Sequence, residues 1–387
     1  MKKIIFLTLL SVSIGLTAQV QQDSISINPQ KQVNAAQRIL SSNLNQKGLT
    51  IGGYAETHYN RASGENATLD VHRMVMLLGY KFNDRTQFIT EIEFEHIKEV
   101  YIEQAFIQYS LSDNINLRAG LMLVPMGIIN EYHEPTTFNG VERPSMDGAI
   151  VPTTWREIGL GISGKYNVAD LRYQVYMFNG FTSKNGNKLL GGSNGLRNGR
   201  QKGAESTMNN VNFAGKLDYY GLLGLRLGLS GYFGRTQSDK SIEDIDGADV
   251  GVAMLGLDAR YGYKRFTARG QFIHANITDS EAYNNYYGSD LGSSLQGWYI
   301  ETAYNLLSQE KEQELVGFVR YEDFNTHAST EGNLAQNLSY DRNELTFGLT
   351  YKVATGAVFK ADYQFKNTAI SGSQTVKQLN LGFGIWF

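Results

Sequence analysis

The chain has 387 residues, no cysteine, and 35 Lys+Arg against 38 Asp+Glu, for a formal net charge of −3. The missing cysteines exclude disulfides and thiolate metal sites, and the faintly acidic balance argues against a nucleic-acid partner, which calls for a basic surface. Beyond residue 18 no run of about 18 apolar residues occurs, so no transmembrane helix is predicted, although 42% of the residues are hydrophobic.

At the start, Met1-Lys2-Lys3 precede a short apolar core, Ile4 to Leu10, and small residues run up to Ala18 before Gln19. This is the pattern of a secretory signal peptide, residues 1–18, cut after Ala18; a buried N-terminal helix is the other reading. No cysteine follows the core, so lipidation is excluded. Without Lys2 and Lys3 the mature net charge is −5. Residues 19–49 read as a mobile periplasmic N-terminal arm. Within it, Asn34 to Asn45 could form a short helix with Ile39, Leu40 and Leu44 on a partial stripe.

Residues 50–387 parse into alternating segments of about ten residues, the length that tilted membrane strands require. The predicted strands are 50–60, 68–82, 86–95, 99–109, 114–122, 155–166, 168–178 and 208–219, then 222–235, 248–263, 264–277, 295–305, 314–322, 341–352, 355–366 and 376–387. Leu223, Leu225, Leu227 and Leu229 alternate with Gly224, Arg226, Gly228 and Ser230. A two-residue period sends one set towards lipid and the other towards a polar interior. The fold class is therefore all-β: a transmembrane antiparallel β-barrel of about 16 strands, an even number as bacterial barrels have.

Short turns, as at Asn83-Asp84 and Ser112-Asp113, alternate with long polar segments at 123–154, 179–207, 236–247, 278–294 and 323–340. Tyr80, Tyr109, Tyr166, Tyr219, Tyr261 and Tyr351 each stand just before a short turn, where an aromatic belt would lie. Four of the five prolines lie in 123–154 and the fifth is Pro29, so every strand is free of proline, as ladder bonding demands. The last strand places Leu379, Leu381, Phe383, Ile385 and Phe387 on one face, an apolar strand with an aromatic end. It resembles the terminal signal by which outer-membrane barrels are recognised; as a soluble edge it would be an aggregation hazard.

A barrel of about 16 strands leaves an aqueous lumen, whereas about eight strands are filled by side chains. The third outer connection, Leu123 to Thr154, carries the charges Glu131, His133, Glu134, Glu142, Arg143 and Asp147. A long connection held by prolines suggests an ordered, functional loop. The string Arg118-Ala-Gly120-Leu-Met-Leu-Val-Pro125-Met-Gly127, with Asn130-Glu131, Arg143-Pro144 and Pro152-Thr-Thr-Trp155-Arg156-Glu-Ile-Gly159, resembles the phosphate-selective porin O and P family. The likeness is densest across about residues 100–180. It implies sixteen strands, a third loop folded inward as a constriction, a homotrimer, and basic residues lining the channel to favour anions such as phosphate.

By alternation, the basic residues facing the lumen are Arg73, Arg118, Arg172, Lys216, Arg226, Arg260, Arg269, Arg320 and Lys360. The acids on the same faces are Glu91, Glu93, Glu95, Asp218, Asp258, Glu301, Glu322, Glu344 and Asp362. The two sets balance, whereas selectivity needs one sign to dominate the constriction. The run Glu91, Glu93, Glu95 departs from what an anion channel wants. About half of these charges would serve as cross-strand pairs that stiffen the wall.

The histidines, His58, His72, His96, His133, His274 and His327, show no metal-ligand spacing, and His133-Glu134 lacks the second histidine of a zinc-protease helix. No metal, no other cofactor and no enzymatic activity are expected. The leading reading is an exported outer-membrane porin: a water-filled channel in contact with outer-membrane lipid that passes small hydrophilic solutes or ions. The alternative is a loop-plugged barrel acting in binding or adhesion through the loops 179–207, 278–294 and 323–340. Their Asn, Gly and Ser content and lack of an apolar anchor weaken it.

Overall fold

A computed structural model of the protein describes residues 32–42 and 47–387. The predicted signal peptide, residues 1–18, and residues 19–31 and 43–46 lie outside the described residues. The first half of the chain forms β1 (Gly48–Ala62), β2 (Thr68–Lys81), β3 (Thr86–Glu95), β4 (Glu99–Ser112), β5 (Ile115–Leu123), β6 (Arg156–Tyr166) and β7 (Leu171–Phe178). A two-stranded hairpin, β8 (Lys184–Asn185) and β9 (Lys188–Leu189), stands apart. The second half forms β10 (Asn212–Tyr219), β11 (Leu225–Arg235), β12 (Gly251–Tyr263), β13 (Phe266–Thr278) and β14 (Ser294–Asn305). The last strands are β15 (Glu314–Ser329), β16 (Asp341–Ala354), β17 (Ala357–Thr368) and β18 (Val376–Trp386). Three helices accompany them: α1 (Ala35–Ser42), α2 (Ser145–Ala149) and α3 (Ser280–Tyr287).

Apart from the hairpin, each strand pairs antiparallel with its sequence neighbour, and β18 pairs with β1 to close a sixteen-stranded barrel. At the seam Gly53 and Phe387 exchange N–H···O bonds of 3.0 Å in both directions. A Cβ at Gly53 would lie 2.5 Å from the Val75 carbonyl oxygen and 2.8 Å from the Phe387 ring, so only glycine lets the terminal aromatic settle there.

The pleat sorts the residues by face. In the β17–β18 ladder Phe359 meets Phe383 and Ala361 meets Leu381 on the outer side, while Asp362 meets Asn380 on the inner one. Leu379, Leu381, Phe383, Ile385 and Phe387 are all exposed, as an apolar lipid-facing wall requires. Five of the six tyrosines of the turn-end belt, Tyr80, Tyr109, Tyr166, Tyr261 and Tyr351, are exposed as well. Placing Arg or Lys on that outer face would cost about 2–4 kcal/mol at mid-depth, and the cations predicted for the lumen point inward instead.

The differences from the sequence reading lie at the strand ends. β15 continues to Ser329, past the predicted 322, because its far end pairs with β14 beyond a bulge at Ser294/Gln296. β7, β10 and β12 start three or four residues later than predicted. α3 lies within the segment 278–294 that was read as plain loop. Of the N-terminal arm, α1 turns Ala35, Ala36, Ile39 and Leu40 into a buried face against β1, β2 and β3, and Arg38 sits 4.5 Å over the Trp386 ring.

Candidate functional site: a lumen crossed by the third outer loop

The connection from β5 to β6 does not stay outside. Its two ends are pinned together: Val124 N donates to Trp155 O at 3.0 Å. The Asn130 carboxamide donates to Val124 O at 2.7 Å and Trp155 O at 2.9 Å and accepts from Trp155 N at 2.7 Å. Trp155 stacks on Phe181 at 4.3 Å and donates through Nε1 to Glu157 at 3.0 Å. Arg200 then clamps the far end, donating to Pro152 O at 3.1 Å and Thr153 O at 2.8 Å.

From this clasp the loop crosses the barrel, bonding to the wall as it goes. Ile128 N donates to Gln271 at 2.6 Å on β13, and Gln174 on β7 donates to Glu131 at 2.7 Å. Arg226 on β11 donates to the Tyr132 hydroxyl at 2.7 Å. Asn139 donates to Glu301 on β14 at 2.9 Å, Val141 N to Asp362 on β17 at 2.6 Å, and Ser145 to Glu344 on β16 at 2.8 Å. Gly127 turns the chain at φ +66, where a Cβ would lie 2.6 Å from Gln271. Buried backbone groups need such partners, and here lumen-facing wall side chains supply them.

The predicted interior cations all lie on the inner side, but most are neutralised. Arg73 pairs with Glu56 and lies 3.8 Å from Glu93. Lys216 meets Glu131 at 3.5 Å and Asp258 at 3.4 Å. Arg226 holds Asp218 at 2.7 Å, and Arg260 lies 3.6 Å from both Asp218 and Asp258. Arg269 and Arg320 share Glu301, at 3.0 and 3.4 Å, and Arg320 also binds Glu322 at 2.9 Å. Arg118, Arg172 and Lys360 bond to neutral groups: Gln108 at 2.8 Å, Tyr220 at 3.3 Å and the Phe138 carbonyl at 3.0 Å.

Of the charged residues predicted for the loop, Glu142 and Arg143 line a cavity of about 480 Å³ on the outer side, with His58, His72, Arg197 and Lys366. Among the described residues Arg143 has no hydrogen bond or ion pair, and Lys366 bonds only to neutral Gln378 at 3.0 Å. The others are spent on the fold. Glu131 and Asp147 are tied to the wall, Asp147 accepting from Gln271 at 2.8 Å. His133 sits 3.2 Å from Glu103 and 3.1 Å from the Tyr54 hydroxyl, and Tyr54 donates to Glu91 at 2.8 Å. Glu134 is fully buried, which raises its pKa.

A second cavity, about 300 Å³, opens towards the turn end between Arg38 of α1, Thr137, Asn139, Arg269 and Glu301. Phe138 borders both cavities, with the Lys360 ammonium 3.8 Å from its ring centre.

Sequence reasoning missed Glu56, Glu103, His58 and His72 as interior groups. Glu56 and His58 follow the unbroken alternation of β1, whereas β-bulges hid Glu103 and His72. Glu103 is the extra residue where the β3–β4 register shifts between Glu91 and Ile92, and a second shift between Glu56 and His58 reverses the parity of β2 at His72. Strict alternation breaks at such points. The outer loops also carry an apolar cluster that their composition hid: Leu190, Leu196, Tyr283 and Leu291 are buried together.

A closed sixteen-stranded antiparallel barrel with a polar inner face, an apolar outer face and a loop folded across its lumen is the build of an outer-membrane porin. The chain matches the model of phosphate-selective porin O and P over residues 51–351 and belongs to that family. It is 31% identical over 339 residues, 82% of this chain and 76% of the other, to an uncharacterized protein of Aquifex aeolicus (strain VF5). It shares its fold with the anion-selective porin from Comamonas acidovorans, at TM-score 0.59 and 11% identity, covering 88% of this chain and 100% of that one. The outer membrane channel DcaP of Acinetobacter baumannii is equally similar, at TM-score 0.59 and 11% identity over 88% and 97% of the two chains.

Proposed function

We propose that this porin is a diffusion channel for small hydrophilic solutes with a mild preference for anions and no dedicated phosphate site. The carrying observation is where charge is left uncompensated. Arg73, Lys216, Arg226, Arg260, Arg269 and Arg320 are matched by carboxylates, so the wall offers no continuous basic ladder. The outer cavity keeps Arg143, Arg197 and Lys366 free of carboxylate partners, while its Glu142 is engaged by His58 at 3.4 Å. The sign that dominates a constriction sets selectivity, and here it is positive. The lumen rather than a reaction site is the working part in this reading, which is that of a non-enzymatic channel.

Reversal potentials in a planar bilayer under a KCl gradient test this. A modest potential on the anion side, unaffected by low phosphate, is expected. A cation-side potential, or block at low phosphate, would overturn the reading. One observation favours a plugged binding barrel instead: α1 buries its apolar face at the turn end while Phe138 stands between the two cavities. The homotrimer implied by the family belongs to the same proposal, and native mass spectrometry in detergent distinguishes three chains from one.

A further inference from the structure

Three histidines far apart in sequence meet at the outer rim of the barrel. Because of the register shift in the β1–β2 ladder, His58 pairs with Asp70, and His72 turns towards it. The His58 and His72 rings stack at 4.4 Å, and His96, in the short connection after β3, meets the His72 ring edge-on at 5.3 Å. Asp70 lies between: its Oδ2 is 2.6 Å from His96 Nδ1 and 3.5 Å from His72 Nδ1. Asp70, His72 and His96 can each offer one ligand atom, all within 4.8 Å of one another.

We propose that Asp70, His72 and His96 form a binding site for a divalent transition-metal ion, with zinc the best fit, at the outer mouth of the lumen. Two imidazoles and a carboxylate are the donor set of open zinc sites, where ligands about 2.0–2.2 Å from the metal stand roughly 3.3 Å from each other. The observed separations bracket that spacing, so small side-chain rotations bring the three donors to a common centre.

The surroundings hold the ligand rings in place. His58 stacks on His72 and fixes the plane of its ring, and His58 is itself held by Glu56 at 3.3 Å and Glu142 at 3.4 Å. Oriented ligand rings strengthen metal binding. The site is also reachable: the three side chains are about a third exposed, His96 most of all. The other cluster of similar composition, Glu91, Glu103 and His133, is fully buried, and its groups already bond to Tyr54 and Gln104.

The test is calorimetric titration of the untagged, full-length protein in detergent, stripped with chelator, with zinc chloride. One zinc ion per chain is expected for the native protein, and loss of that binding in the His72→Ala/His96→Ala variant. Absence of binding in the native protein, or equal binding by the variant, would overturn the proposal. Copper(II) provides a second readout, since it binds such donors more tightly than zinc. Its electron paramagnetic resonance spectrum should show coupling to two nitrogens, and coupling to fewer would also overturn it. Both measurements read binding alone, so a failure of the diffusion reading leaves them unaffected.

Discussion

Asn130 and Trp155 stand 25 residues apart, yet one carboxamide of Asn130 satisfies both the N–H and the C=O of Trp155, at 2.7 and 2.9 Å. The same Nδ2 also reaches Val124 O at 2.7 Å, so a single side chain closes the base of the loop that crosses the lumen. Asn130→Ala removes three buried hydrogen bonds and leaves the Trp155 N–H unpaired, a loss of about 3 kcal/mol. The expected outcome is a barrel that still assembles but unfolds at lower temperature and conducts with larger, noisier steps. Unaltered thermal unfolding would show that the clasp is dispensable.

Phe138 separates the outer cavity from the turn-end cavity, backed by Lys360. Phe138→Ala should widen this point and raise single-channel conductance. Removing residues 19–42, which takes away α1, should raise it further by clearing the turn end. If neither change alters conductance, the path through the barrel runs elsewhere.

Among the described residues, Arg143 lines the outer cavity without a hydrogen bond or ion pair. Arg143→Glu should therefore shift the reversal potential towards cations. A potential that does not move would place the selectivity-determining charge at another residue.

Glu142 gives the loop an acid dependence. Burial opposes its ionisation, but the hydrogen bond and charge of His58 outweigh this and hold it at about 2, below the ordinary 4.5. A depressed carboxylate contributes stability that is fully present above its ordinary value and is lost as pH falls from there through its folded value. Loop docking should weaken between about pH 4.5 and about pH 2, seen as rising conductance noise. Glu142→Gln should remove that pH dependence, and its persistence would assign the effect to another group.

The barrel itself was legible in the sequence because its cause is periodic. Leu227 and Leu229 face out and Arg226 and Ser230 face in for the reason that made the pattern visible: a pleated strand between lipid and a polar interior. The motif residues Asn130, Pro152 and Trp155, which carry the family likeness, form the clasp of the third loop. Where the ladder shifts register the periodic signal fails, and Glu103 and His72 were invisible as interior groups. The pairing of lumen charges was hidden for a different reason. Alternation shows which face a side chain takes but not how far along the tilted wall its partner stands, so Arg226 with Asp218 is a finding of the structure alone.

The C-terminal strand makes a claim about assembly. Phe387 bonds to Gly53 through its backbone and covers it with its ring. Phe387→Ala keeps the backbone bonds and loses the ring, so it should lower the amount of assembled barrel in the membrane more than the conductance of each assembled copy. Normal membrane levels would count against this role for the terminal aromatic.

The most direct test of the central claim is single-channel recording of the purified, refolded protein in a planar bilayer. Stable, discrete conductance steps are predicted, small for a sixteen-stranded barrel because the third loop and α1 occupy much of its lumen. A correctly folded barrel that never conducts would contradict the channel and leave a plugged barrel that works through its outer loops.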